Sequence, residues 1–403
     1  MILRAAWVAP GGAAPIRDGY VRVAAGRVAE VGSFGAGLDA ADGIQDLGQA
    51  VLLPGLVNPH THLELTAYTG CLPPAPLWDW LLALVQLRRE PGRVERERQG
   101  VHDGAWQSLR AGVTCVGDIS RENVAWQVLK DIPIRKVCYA ELLTLADLPP
   151  RDPAELRAAV TEIREDELLT AGVTPHTPYT VPGVQIRAAI ELAGELQRPW
   201  CTHWAETPEE VAFLAGEVGA LPLFMQKLLD HCRVQSPKMT PGEYLEQCAR
   251  GLPPGSLAHV NYIADDDLPR LAGAGHTVAY CPRSHHFFGH RSHPFRRLQA
   301  AGIPVTIGTD SAASNENLSV LEELRFVRRH IAEPPTAAEL LEMATSTAAA
   351  ALGLAEVIGT LEVGKAADLA AFPCPADVAD PLAALIDAAP APLGVWVAGR
   401  QVV

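Results

Sequence analysis

The sequence predicts an α/β protein, a (β/α)8 TIM-type barrel with a small β-sandwich domain built from both chain ends. Eight short apolar runs alternate with longer helical stretches through the middle of the 403-residue chain, while both ends are β-rich. No Gly-x-Gly-x-x-Gly and no Gly-x-x-x-x-Gly-Lys-Ser/Thr follows any of these runs. The doubly wound nucleotide-binding folds therefore lose support. The expected units are 1–53, the N-terminal part of the sandwich, 54–354, the barrel, and 355–403, the C-terminal part of the sandwich.

At the start, Gly19-Tyr20-Val21-Arg22-Val23 and Arg27-Val28-Ala29-Glu30-Val31 flank Ala25-Gly26. Period-two alternation reversed at a glycine predicts a hairpin. Barrel strands are expected near 55–61, 113–118, 135–142, 172–177, 200–205, 256–261, 277–282 and 304–309. Helices should begin at Thr207-Pro208-Glu209-Glu210, a capping box with proline in the first turn, and at Asp152-Pro153, Ser319-Val320 and Thr336-Ala337 by the same logic. The span 207–254 is unusually long for one connection, and its Leu223, Phe224, Met225 and Leu228 suit either a lid or a helical insertion with its own core. At the end, Asp368-Leu369-Ala370-Ala371-Phe372 and Gly394–Val403 return to strand patterns. Neither terminus has enough apolar surface alone, so the two should pair.

Composition narrows the function classes. With 48% hydrophobic residues and 20% charged, the chain can bury a core and is not a disordered segment. Its formal net charge of −14 has the wrong sign for a phosphate backbone, so no nucleic-acid partner is expected. No long uninterrupted apolar run and no charged leader before an apolar stretch is present, so neither a membrane span nor a secretory signal is expected. The eight cysteines include no Cys-x-x-Cys pair; Cys115, Cys138, Cys201 and Cys281 sit in strand-like runs as small buried hydrophobes. A reducing, cytoplasmic location is expected.

In a barrel of this kind, polar groups at the C-terminal ends of the strands form the active site. His60 and His62 end strand one, His176 strand four, His203 and Glu206 strand five, His259 strand six and Asp310 strand eight. In a strand, residues i and i+2 share a face, so His60 and His62 aim two imidazoles at one point. His203 adds a nitrogen and Asp310 a carboxylate; three imidazoles and one carboxylate suit Zn(II) first, with Fe(II) as competitor. No lysine ends strand four, so no carbamate bridge can form and one metal is favoured over two. Glu206 precedes the helix cap at Thr207 and is free to turn back over the barrel mouth, where a carboxyl can move a proton between water and leaving group. His259 suits a ligand, a partner of the attacking water or a core histidine. His176 lies in the proline-bracketed Thr174-Pro175-His176-Thr177-Pro178-Tyr179 and can present its ring to substrate. Glu64, two residues past His62, is a further substrate candidate, as are Arg283 and His285 beyond strand seven, where a cation could bind an anionic group.

In order, Pro54-Gly55-Leu56-Val57-Asn58-Pro59-His60-Thr61-His62, Pro175-His176-Thr177-Pro178-Tyr179, His203-Trp204-Ala205-Glu206-Thr207, His259-Val260-Asn261-Tyr262, Cys281-Pro282-Arg283-Ser284 and Gly308-Thr309-Asp310-Ser311 run along nearly the whole chain. With the tail Gly359–Leu369, this set resembles the amidohydrolase superfamily in its mononuclear cytosine/adenosine-deaminase-like and chlorohydrolase-like branch. Ser284–His290 and Asn315–Ser319 are similar to bacterial aminofutalosine-deaminase-like proteins, although His285 stands where the branch often has asparagine. The resemblance implies one metal on His60, His62, His203 and Asp310. It makes Glu206 and Asp310 the proton shuttles, puts His259 near the attacking water, and has His176 touch substrate. Hydroxide generated on the metal would then attack a ring carbon bearing an exocyclic amine of an aminopurine or adenine-type nucleoside, and ammonia would leave. Hydrolysis of another ring substituent or cyclic amide stays open as an alternative, as does a catalytically silent ligand-binding barrel. A small molecule is the expected partner; a homodimer is allowed, although no local motif specifies it.

Overall fold

The computed structural model describes residues 1–35, 43–144, 152–232 and 234–403, with only the backbone described for 228–232. In chain order the strands are β1 (Ile2–Val8), β2 (Ile16–Ala24), β3 (Arg27–Ser33), β4 (Ile44–Asp46), β5 (Ala50–Pro54), β6 (Leu56–Thr61), β7 (Val113–Ser120), β8 (Arg135–Leu142), β9 (Leu169–Pro175), β10 (Cys201–Trp204), β11 (Ser256–His259), β12 (Thr277–Tyr280), β13 (Val305–Ile307), β14 (Leu369–Pro373), β15 (Gly394–Val397) and β16 (Arg400–Gln401).

Strands β6 to β9 and β10 to β13 form two four-stranded parallel sheets, each in sequence order. Parallel neighbours need a crossover, and helices supply it between successive strands. Two parallel bridges join the sheets at both seams: Val173 pairs with Trp200 before β10, and Thr61 pairs with Asp310 beyond β13. Strands β6, β7, β8, β10, β11 and β13 are buried throughout, as strands covered on both faces must be. Close approach at the start of this array needs glycine, since a Cβ on Gly55 would lie 2.0 Å from Thr114 Oγ1. Each predicted strand is present, within a few residues of its expected bounds.

The predicted helix starts form, each with its cap side chain accepting a backbone N–H. Asp152 accepts from the backbone N–H of Ala154 and Glu155, Ser319 from that of Glu322, and Thr336 forms a reciprocal capping box with Glu339. Thr207 accepts from the N–H of Glu210, but Glu210 does not return the bond. Its carboxylate instead accepts from the N–H of Ala205 at 2.7 Å and of Glu206 at 3.0 Å, holding the end of β10.

The two chain ends meet in one hydrogen-bonded sheet of order β16-β15-β14-β5-β1-β2-β3, with β4 beside β1. The sequence pattern leads us to expect that the two ends pair into one β-domain, and they do. The pairing of β14 with β5 makes the strands continuous. Side chains alternate between two cores: Ala50, Leu52, Leu369, Ala371 and Trp396 face a core belonging to this sheet. Val51, Leu53, Ala370, Phe372, Val395 and Val397 face the main core. The β2–β3 turn has left-handed Ala25 (φ 48°) and Gly26 (φ 76°), the geometry a two-residue hairpin requires. A buried ion pair ties the end sheet to β8: Arg135 Nε donates to Asp368 Oδ2 at 2.7 Å and Nη2 to Oδ1 at 3.1 Å.

Between β10 and β11 the chain forms helices Pro208–Ala215, Leu223–Cys232 and Pro241–Ala249. Met225 packs with Trp78, Tyr179 and Leu221 in a small core, and Leu223 is exposed; the Leu228 side chain lies outside the described residues. Cys115, Cys138, Cys201 and Cys281 are buried free thiols. Among the described residues no helix is long and apolar enough to cross a membrane.

Candidate active site

The C-terminal ends of the parallel strands converge on one cavity of about 470 Å3. His62, His176, His203, Glu206, His259 and Asp310 line it, and His60 lies beneath them with 2% of its surface exposed. Ligand nitrogens of His60, His62 and His203 lie within 4.8 Å of one another. Asp310 Oδ1 stands 3.9 Å from His60 Nε2 and 3.8 Å from His62 Nε2. The cluster of three imidazoles is positioned for one divalent metal.

The local chemistry fits that ion. Among the described residues His60 Nε2 is buried with no hydrogen-bond partner, an orphan that a cation would satisfy. His203 Nδ1–H donates to the carbonyl of His176 at 3.1 Å, which leaves Nε2 as a bare lone pair. That lone pair faces His62 Nε2 at 3.2 Å. Burial, reinforced by neighbouring imidazoles, holds the protonation of His60 and His203 well below the ordinary histidine range. Neutral imidazole is the form that binds metal.

The neighbouring chain holds these groups in place. Asn58 Nδ2 donates to Thr309 Oγ1 at 2.7 Å and its Oδ1 accepts from Thr309 N–H at 3.1 Å, fixing the residue before Asp310 against β6. Ser284 Oγ donates to Asp310 Oδ2 at 2.7 Å, leaving Oδ1 toward the histidines. Four non-glycine residues at the strand ends are left-handed: Ala205 (φ 49°), His259 (φ 71°), Val260 (φ 52°) and Asp310 (φ 57°). Such backbone persists only where the surroundings over-determine it, and it clusters at functional sites.

Glu206 is 7% exposed, and its Oε1 lies 3.6 Å from His259 Nε2. Burial first, then Asp310 and Glu210, push its carboxyl well above the usual range. A carboxyl so placed can hold a proton near neutral pH. The His259 ring stacks at 5.5 Å on that of His203 and lies 5.2 Å from that of His60. His176 Nδ1 is 2.8 Å from Thr180 Oγ1, and burial pushes its pKa down to about 3, so the ring is neutral.

Of the four expected substrate residues, His176 and Glu64 line the cavity. Glu64 accepts from Arg88 Nη2 at 2.7 Å and from Ser120 Oγ at 3.3 Å. Arg283 and His285 require correction, because neither lines the cavity. The helix Pro282–Phe287 starts at once after β12 and turns Arg283 toward the helix Val320–His330. There it pairs with fully buried Glu323 at 2.7 Å and donates to Asn317 and Ser319. His285 lies behind the site, 3.0 Å from Asn261 Oδ1 and 2.5 Å from the carbonyl of Arg291.

Sequence reasoning missed Arg121 and Glu141, both on the cavity wall. Arg121 Nε is buried without a partner among the described residues. The barrel-mouth rule applied to strand two would have found Arg121, but that strand was ended at residue 118 and it runs to Ser120. Arg88, Trp80 and Leu84 of the helix Leu77–Leu87 and its end complete the wall, and no strand-end rule points to them.

Residues 51–402 match the family described as the amidohydrolase family. A 5-methylthioadenosine/S-adenosylhomocysteine deaminase from Desulforudis audaxviator is 31% identical over 388 residues, 92% of this chain and 84% of the relative. An aminodeoxyfutalosine deaminase from Deinococcus radiodurans is 32% identical over 70% of this chain and 68% of its own length. The crystal structure of an adenosine deaminase from Xanthomonas campestris with bound zinc superposes with a TM-score of 0.83 at 27% identity, covering 99% of this chain and 92% of the other.

Proposed function

The chain belongs to the amidohydrolase family, a hydrolase acting on carbon–nitrogen bonds, and we propose that it removes the exocyclic amine of an adenine-type nucleoside as ammonia. One observation carries the reading. The three-imidazole cluster, Asp310 and the Glu206–His259 pair meet at one cavity, whose remaining wall is largely apolar and aromatic. Its volume of about 470 Å3 suits a nucleoside-sized ligand. The relatives named above deaminate adenine nucleosides by their descriptions.

In this reading His60, His62, His203 and Asp310 hold a single Zn(II), with Fe(II) as the competing ion. Bound there, a divalent ion acts as a Lewis acid and lowers the pKa of water from 15.7 toward about 7. Glu206 takes one proton from the attacking water and returns it to the exocyclic nitrogen, so that one water enters and one ammonia leaves. Asp310 shares the proton traffic from the opposite side. His259 Nε2 donates to the oxygen that adds to the ring carbon, and His176 orients the base. Glu64, held by Arg88, accepts from substrate hydroxyls. The role expected of Arg283 passes to Arg121, on the cavity wall with its Nε unpartnered among the described residues; it takes an anionic substituent at the far end of the substrate.

The two parallel sheets are read as one closed (β/α)8 barrel spanning 54–354, a reading supported by the two seam bridges. The end sheet, 1–53 with 355–403, is read as folding over its own core into a sandwich. A cytoplasmic setting with a small-molecule substrate goes with the reading. Metal analysis followed by an ammonia-release screen of adenosine, S-adenosylhomocysteine, aminofutalosine, guanine and cytosine tests it. Release from adenine nucleosides at about one metal per chain is expected. Release from cytosine or guanine alone, or none from any, would overturn it.

A further inference from the structure

Three histidines, His285 and the so far unassigned His290 and His293, gather behind the site in the segment after β12. His285 and His293 lie against the backbone and side chains that carry His259 and Glu206. His293 is 6% exposed and lies flat on Tyr280, ring centroids 3.9 Å apart and planes 15° from parallel. Its Nε2 stands 2.7 Å from the carbonyl oxygen of His259. A carbonyl only accepts, so Nε2 carries the hydrogen and donates. Nδ1, buried and without a partner among the described residues, is the bare nitrogen.

That bond falls on a strained residue. His259 and Val260 are consecutive left-handed residues where β11 ends, and neither is glycine or asparagine. The turn takes the His259 carbonyl out of the parallel ladder, whose pairing ends with Trp204 opposite His259. The donor for it comes from 34 residues further along the chain. A parallel device serves Glu206: Asn261 Nδ2 donates to the Glu206 carbonyl at 3.0 Å, and Asn261 Oδ1 faces His285 Nδ1 at 3.0 Å.

We infer that His293 is a positioning residue for the proposed deamination, holding the left-handed backbone of His259 so that its ring stays against Glu206 and the metal-binding imidazoles. This rests on the reading of His259 as a group that acts on the attacking oxygen. Left-handed φ at a histidine is costly, so without the bond the backbone relaxes and the ring shifts. Small misplacements of a reacting group lower the rate of the chemical step more than substrate affinity.

The test compares His293→Phe, which keeps the stack on Tyr280 and removes the donor, with His293→Gln, which keeps a side-chain N–H. In the zinc-loaded protein, His293→Phe is expected to lower kcat about tenfold or more with KM within about twofold and zinc content unchanged, and His293→Gln to recover most of the loss. A crystal structure of zinc-loaded His293→Phe supplies a readout independent of turnover: His259 should leave the left-handed region or move its ring from Glu206. Unchanged kcat together with unchanged His259 geometry would overturn the inference. So would equal losses in both variants, or zinc loss in step with kcat, which mark a merely structural role. If the unaltered protein turns over no nucleoside, the deamination reading fails by itself, while the His259 geometry in the variant still judges the positioning role.

Discussion

The two ends of the parallel strands treat buried ionisable groups differently. At the start of β8, Arg135 and Asp368 are 5% and 2% exposed and satisfy one another in a two-pronged pair. Asp368 also accepts from the N–H of Ala398, and buried Lys136 donates to the carbonyl of Ile132. At the far ends of the strands, His60 Nε2, Asp118 Oδ2 and Arg121 Nε are buried without partners among the described residues, and Ala205, His259, Val260 and Asp310 adopt left-handed backbone. One end spends its polar groups on holding the sheets together. The other leaves His60 Nε2 and Arg121 Nε unpartnered among the described residues, beside a cavity where a ligand can complete them.

The contrast can be broken at either end. The largest effect is expected from His203→Ala, which removes one of the three converging nitrogens: metal content should fall to a small fraction of one per chain and turnover by about 1,000-fold or more. Metal analysis beside a rate assay checks both. Glu206→Gln should keep the metal and lower kcat by about 100- to 10,000-fold, because the amide fills the space but can neither take up nor release a proton. At the satisfied end, Arg135→Met should leave Asp368 buried and uncompensated, at a cost of about 3–5 kcal/mol in stability, with kcat of the folded protein unchanged. Denaturant unfolding and kinetics on the same sample read the two sides. The smallest and sharpest effect belongs to Arg121→Gln. Loss of a charge-assisted bond of about 1.5–3 kcal/mol should lower kcat/KM roughly 10- to 150-fold for an adenine nucleoside bearing a carboxylate, and leave 5′-methylthioadenosine within about twofold.

Most of the array was legible because its signals are local. Buried parallel strands read as short apolar runs, and Asp152, Thr207, Ser319 and Thr336 announce their helices through one side-chain oxygen each. The five mouth histidines were legible for a related reason: a strand end fixes where a side chain points, so chain position is enough. Legibility failed where orientation depends on a later element. Arg283 follows β12 closely, yet it sits in the first turn of a helix, and fully buried Glu323, 40 residues on, captures it. His285 is likewise spent on Asn261. Glu210 looked like a capping partner for Thr207, but backbone strain at Ala205 leaves two N–H groups nearer to it. That the two ends pair was legible in their β-rich patterns, but alternation only reveals which side chains share a face and does not say which strands join, here β14 to β5.

The central claim is that the unsatisfied end is an aminohydrolase centre that needs both its metal and Glu206. Its most direct test is ammonia release from S-adenosylhomocysteine and 5′-methylthioadenosine by protein at one zinc per chain, beside Glu206→Gln at the same zinc content. Stoichiometric ammonia from the first and almost none from the second is the predicted result. Turnover that survives Glu206→Gln, or no release from either nucleoside with the zinc in place, would contradict it.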